Sequence, residues 1–157
     1  MQKYQKDFIE LSIFAGALKF GKFILKSGRE SPYFFNAGVF YNGEHSVALG
    51  KILADFVLSK LHTYDFDIIF GPSYKGIPLA LSLSYALAQR GINKEWCFNR
   101  KEKKQYADKG DFVGAPINQN SKIIIVDDVF TTGGAKEEVL SQIKAIADVK
   151  LSGVFIL

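Results

Sequence analysis

Cysteine is nearly missing from this chain. Cys97 stands alone, inside the apolar run Trp96-Cys97-Phe98, so no internal disulfide can form, and a reducing compartment is the expected home. Long apolar runs are missing too. None is long enough to span a bilayer, and residues 1–7 lack the apolar core of a signal peptide, so a cytoplasmic protein with no membrane partner is expected. There is no internal repeat, linker or low-complexity tract, and neither His45 nor His62 sits in a context that suggests a role. Charge of one sign is only mildly in excess, at +4 with a pI near 9.1, which suits nucleic acid or small anions depending on where the cations lie. Five of them, Arg100, Lys101, Lys103, Lys104 and Lys109, share one local loop and not a helix face or stripe. That placement favours a small polyanion over nucleic acid. What remains is 157 residues with 48% hydrophobic and 23% charged content, enough for one globular domain with a real core.

Periodicity divides the chain into elements. Tyr4, Phe8, Leu11, Ala15 and Leu18 recur at helical spacing and predict an opening amphipathic helix. Residues 19–26 alternate, 27–32 break the pattern, and Tyr33, Phe34, Phe35 and Asn36 resume it, which reads as a hairpin. If that strand alternates, at least one of Phe34 and Phe35 belongs to the core. A second helix is expected over 44–62, a buried strand over 66–70, and a helix from Pro78 to near Gly91. Residues 96–98 read as another strand, whereas 99–120 show many charges and little periodicity, the mark of a lid or disordered segment. The β and α alternation from Phe66 onward predicts a parallel sheet with helices on both sides. The last run, 151–157, reads as a buried strand. Since natural termini seldom stop inside one, a missing C-terminal part is expected.

Residues 122–135 organise the rest. Ile123, Ile124, Ile125 and Val126 form a β-branched run suited to a strand buried on both faces. Asp127 and Asp128 end it, and can serve one site only where the strand gives out, at the carboxyl edge where open α/β sheets bind ligands. Thr131, Thr132, Gly133, Gly134 and Ala135 then lead into a helix bearing Val139, Leu140, Ile143 and Ile146. Such a loop aims backbone N–H groups outward, backed by the helix macrodipole, and makes a phosphate seat. Two carboxylates ~5 Å apart repel by roughly 3 kcal/mol at an effective dielectric of ~20, and hydroxyl donors or Mg²⁺ would relieve them. A ligand with a diol, a phosphate and a metal-bound polyphosphate satisfies the whole stretch; 5-phosphoribosyl 1-pyrophosphate (PRPP) is one. A phospho-acceptor pocket or a Walker-B type metal site would share the acids but would leave the Thr/Gly loop unexplained.

Two further loops belong with it. Phe70, Gly71, Pro72, Ser73, Tyr74, Lys75 and Gly76 make a second strand-to-helix loop at the same edge, whose N–H groups and Lys75 suit another phosphate. Residues 100–110 offer cations that could close over pyrophosphate and exclude water. Lys26 with Phe34 and Phe35 offers a cation and an aromatic face, suited to an aromatic base carrying a carboxylate.

With these segments assembled, the sequence resembles the orotate phosphoribosyltransferases, of the type I phosphoribosyltransferase family, over essentially its whole length. The carrying residues are 18–21, 25–29, 31–38, 70–78, 98–102 and 126–135. The resemblance implies an α/β fold with a central parallel sheet flanked by helices and an N-terminal helix and hairpin hood. It divides a single domain into 1–40, serving the base, and 41–157, binding PRPP. The implied reaction is Mg²⁺-dependent transfer of phosphoribose from PRPP to orotate, giving orotidine 5′-monophosphate and pyrophosphate. Asp127 and Asp128 would bind the ribose hydroxyls and steady positive charge on the ring. The Mg²⁺ would be held mainly by PRPP, with either acid as a ligand. Thr131, Thr132, Gly133, Gly134 and Ala135 would hold the 5′-phosphate, with Thr131 also near orotate, and Val129 and Phe130 would be substrate-binding residues. Tyr74 and Lys75 would border the pyrophosphate, and Lys26, Phe34 and Phe35 the base. Arg100, Lys101 and Lys104 would belong to a closing loop that reaches the neighbouring subunit's site, so a homodimer with shared active sites is implied.

Two positions depart from the family. Tyr106-Ala107 stands where the family often has His-Gly, so position 106 can donate a hydrogen bond but supplies no cation. The family also has an arginine beyond the last strand that contacts the orotate carboxylate, and no residue here matches it. Rival readings are a phosphoribosyltransferase for a purine or uracil, and a PRPP-sensing regulator that binds nucleic acid, which would be expected to carry an added domain or basic helix face.

Overall fold

A computed structural model of the chain describes residues 1–25, 28–60, 65–101, 111–129, 134–145 and 147–157, with the backbone alone over 134–138. The elements run α1 (Lys3–Phe14), β1 (Leu18–Ile24), β2 (Glu30–Phe35), a short 3-10 turn (Ala37–Val39), α2 (Gly43–Leu58), β3 (Ile68–Phe70) and α3 (Gly76–Ala88). They continue through β4 (Glu95–Asn99), β5 (Phe112–Gly114), β6 (Lys122–Asp127), α4 (Gly134–Lys144) and β7 (Lys150–Ile156). β1 and β2 form an antiparallel hairpin, and the other five strands form one sheet in the order β5-β4-β3-β6-β7.

The β-branched runs explain the layering. Strand residues alternate between faces, so Ile69, Ile124 and Val126 join one core with Leu53 and Val57 of α2 and Leu79, Leu83 and Leu87 of α3. Ile68, Phe70, Ile123 and Ile125 join a second core with Val139 and Ile143 of α4. A strand covered on both sides needs no polar face, which is why β6 reads as unbroken apolar sequence. Gly50 lets α2 and α3 approach closely, since a Cβ there would lie 2.5 Å from the Ser82 carbonyl oxygen.

α1 and the hairpin form a separate layer over this frame. Tyr4 packs against Phe56 and Phe8 against Phe35, with ring centroids 5.4 and 5.9 Å apart. The expected alternation of the hairpin is observed: Phe35 packs against the core, while Phe34 stays 42% exposed with its ring beside Phe23.

Several expectations are corrected. The sheet is mostly, not wholly, parallel, because β5 returns antiparallel to β4, with Asn99 opposite Phe112. This strand lies inside the segment read as lacking structure; three residues are too few to show a period. β7 is an edge strand with only Phe155 buried, and Leu151, Val154 and Ile156 remain more than a third exposed. Apolar composition suggested burial, but among the described residues the sheet order places no strand on its outer side. α2 stops at Leu58 with Ser59 as its cap, short of the expected 62, and the strand expected from 66 begins at Ile68.

Candidate active site

Parallel pairing of β3 with both β4 and β6, and of β6 with β7, brings four strand ends to one edge of the sheet. α3 leads from β3 outward to β4, and α4 leads from β6 outward to β7 on the opposite face. The chain therefore diverges between β3 and β6, and this reversal opens the crevice in which doubly wound sheets hold ligands. Into it run the loop after β3, the exit of β4, and Asp127 and Asp128 at the end of β6.

The acid pair is buried, Asp127 at 8% and Asp128 at 5% exposure. The Asp128 backbone N–H donates to Asp127 Oδ1 at 2.9 Å, and Lys75 Nζ donates to Asp128 Oδ2 at 2.8 Å. The repulsion expected from the sequence is thus relieved by the protein itself. A buried carboxylate pair fits a divalent cation that keeps its remaining ligands from phosphate and water. Among the described residues no group of three His, Cys, Asp or Glu side chains surrounds it.

Lys75 is aimed by a loop with no spare room. A Cβ on Gly71 would meet the Gly76 carbonyl oxygen at 2.2 Å, and one on Gly76 would come within 2.8 Å of the Val126 oxygen. The Ser73–Tyr74 peptide bond is cis. Tyr74 is 65% exposed, and Lys101 Nζ sits 4.8 Å from its ring centroid, a cation–π contact between two residues expected at the pyrophosphate. Arg100 follows β4 directly; its backbone N–H donates to the Asp111 oxygen at 2.8 Å, and its buried Nε has no hydrogen-bond partner among the described residues.

On the hairpin side, a cavity of about 370 Å³ is lined by Ser12, Tyr33, Phe35, Asp128, Val129 and Leu157, among others. Three of the residues predicted for substrate, Phe35, Asp128 and Val129, therefore meet at one concavity. Phe34 does not line it. Gly134 and Ala135 are the first two residues of α4. Lys26, Lys104, Tyr106, Phe130, Thr131, Thr132 and Gly133 lie outside the described residues.

Sequence reasoning missed Asn99. This residue ends β4, is 7% exposed, and accepts the Ser73 backbone N–H on its Oδ1 at 2.9 Å while its Nδ2 donates to Gln142 Oε1 at 3.2 Å. A buried amide at a strand's carboxyl end is the signal that could have found it.

Comparison with known proteins bears on this geometry. The phosphoribosyl transferase domain family matches residues 41–152. An orotate phosphoribosyltransferase of Pseudomonas fluorescens is 47% identical over 157 residues, covering 99% of this chain and 72% of the relative. The crystal structure of the Francisella tularensis orotate phosphoribosyltransferase superposes with a TM-score of 0.82 at 41% identity, covering 95% of this chain and 69% of that one. The Mycobacterium tuberculosis enzyme solved with PRPP shares the fold, with a TM-score of 0.69 at 18% identity, over 96% of this chain and 82% of that one.

Proposed function

The chain belongs to the orotate phosphoribosyltransferase family, and from that membership we infer that it transfers the 5-phosphoribosyl group of PRPP to orotate in pyrimidine nucleotide synthesis. The observation that carries the assignment to this site is the buried Asp127–Asp128 pair facing Lys75 across the β3/β6 crevice. We propose the following roles.

PRPP enters with its ribose over the acid pair and its pyrophosphate over residues 72–75. Lys75 then leaves Asp128 for the phosphates, which frees Asp128 to accept from a ribose hydroxyl. Carboxylates held in a dry crevice stabilise the positive charge that grows on the ring as the C1–O bond lengthens. That bond breaks with its electron pair leaving on pyrophosphate, and the pyrimidine nitrogen forms the new bond to C1 and passes its proton to an oxygen of the departing pyrophosphate. Mg²⁺, when bound to PRPP with Asp127 or Asp128 as a protein ligand, adds charge neutralisation on the phosphate oxygens. Thr131, Thr132, Gly133, Gly134 and Ala135 seat the 5′-phosphate at the start of α4, with Val129 and Phe130 leading into that loop. Tyr74 and Lys75 border the pyrophosphate, Arg100, Lys101 and Lys104 belong to the loop that closes over it, and Tyr106 donates a hydrogen bond to the substrate. Lys26, Phe34 and Phe35 border orotate, and the cavity beside Phe35 and Val129 supports that placement of the base.

The division into a base-serving part, 1–40, and a PRPP-binding part, 41–157, is also proposed. So is a homodimer in which the 100–110 segment serves the partner's site, and a cytoplasmic home. Among the described residues no helix is long and apolar enough to cross a membrane.

The test is pyrophosphate release from PRPP with orotate, uracil, hypoxanthine or adenine, with and without EDTA. Release with orotate that EDTA abolishes supports the proposal. Release with a purine alone would replace orotate as the acceptor, and salt-sensitive RNA binding without turnover would favour a regulator.

A further inference from the structure

Three elements of the crevice converge on one side chain to which the mechanism above gives no part. Asn99 Oδ1 accepts the backbone N–H of Ser73 at 2.9 Å, and the Asn99 carbonyl oxygen accepts the Ser73 hydroxyl. Both contacts fix the loop after β3 two residues before Lys75. The other end of the amide donates to Gln142 Oε1 at 3.2 Å, on α4, the helix that opens at Gly134. Asn99 is itself the last residue of β4, so its backbone also sets the direction in which Arg100 and Lys101 leave the sheet.

We propose that Asn99 is a positioning residue: its buried amide locks the 72–75 loop, the β4 exit and α4 into one frame, so that the groups facing the two ends of PRPP keep a fixed separation. Burial at 7% exposure shields these bonds from water, which makes the amide costly to lose and slow to rearrange. An asparagine suits the post because it accepts on one side and donates on the other. Neither aspartate nor leucine can do both. The proposal rests on reading the 72–75 loop as the pyrophosphate seat.

The experiment combines site-resolved amide hydrogen exchange with calorimetric PRPP titration in Mg²⁺, on wild type, Asn99→Ala, Gln142→Met and Gln142→Glu. In Asn99→Ala, exchange at Ser73 and the PRPP dissociation constant should each rise about tenfold, while exchange in the middle of α3 stays unchanged. Gln142→Met should move both in the same direction by roughly threefold, and Gln142→Glu, which keeps an acceptor for Nδ2, should resemble wild type. The Gln142 pair decides the matter if Asn99→Ala fails to fold. Faster exchange at Ser73 with PRPP affinity unmoved would reduce Asn99 to a packing role and overturn the proposal, as would unchanged exchange. A wild-type chain that binds no PRPP would instead remove the functional reading.

Discussion

Asp128→Asn separates the cost of the acid pair to the fold from its value to the ligand. The substitution keeps the shape and one acceptor oxygen while removing the charge 2.8 Å from Lys75 Nζ. Lys75's side chain is 55% exposed, so the freed ammonium can turn to water; a pair with one partner this wet is worth about 0–1 kcal/mol. The midpoint of thermal unfolding should then move by less than about 4 °C in a chain of this size. The chemical step loses much more. A hydroxyl bonded to a carboxylate contributes about 1.5–3 kcal/mol, and a full positive charge on the ring ~5 Å away would gain roughly 3 kcal/mol at an effective dielectric of ~20. Together these amount to ~4–6 kcal/mol, or about 10³–10⁴ in kcat/KM. PRPP affinity should fall less than turnover, because in the variant Lys75 no longer has to leave a carboxylate before meeting phosphate. Orotate consumption under saturating PRPP, paired with a thermal melt, reads both quantities. A kcat/KM within about threefold of wild type would refute the argument, and so would a collapse in stability large enough to explain the lost activity.

Lys104→Ala should lower turnover by about a hundredfold with PRPP affinity changed far less, since a closing loop acts mainly once the substrate is bound; rapid-quench kinetics beside calorimetric binding would check it. Gly71→Ala should cost roughly 1–3 kcal/mol in urea denaturation and weaken PRPP binding, because the added methyl meets the Gly76 oxygen at 2.2 Å. Cys97 should resist thiol reagents at pH 8 in the native chain and react fully once unfolded, because burial pushes its thiol from an ordinary 9.0 up to about 12. Above pH 9 the unfolded chain sheds a proton that the folded chain keeps, so this contribution to stability erodes as pH rises toward 12. The slope approaches about 1.4 kcal/mol per pH unit, and Cys97→Ala should remove it in denaturation curves compared at pH 8 and 10.

Legibility in the sequence followed the range of the interactions. β6 was readable because burial on both faces leaves a local imprint, four consecutive apolar residues, that its partition between two cores explains. The position of the acid pair was equally readable, since two acids directly after an apolar strand fall where that strand gives out, and Asp127 is the last residue of β6. β5 was not, because Phe112–Gly114 is held by hydrogen bonds to β4 and carries only two side chains, neither of them fully buried. The exposure of β7 depends on its place in the strand order, which no local window contains. Lys75 meets Asp128 across 53 positions, and Asn99 reaches Ser73 and Gln142 across 26 and 43. Each residue could be placed near the edge by its strand or loop, but its partner could not.

The short return strand has a mechanical result. Because Asn99 faces Phe112 and the Arg100 amide is bonded to Asp111, residues 100 and 111 are stapled together at the end of β4. These bonds fix the separation of the two points, and doubling the length of flexible chain between two fixed points costs only ~0.6 kcal/mol. Insertion between these two anchors should therefore leave the pairing of Asn99 with Phe112, and the edge of the crevice that it sets, unchanged.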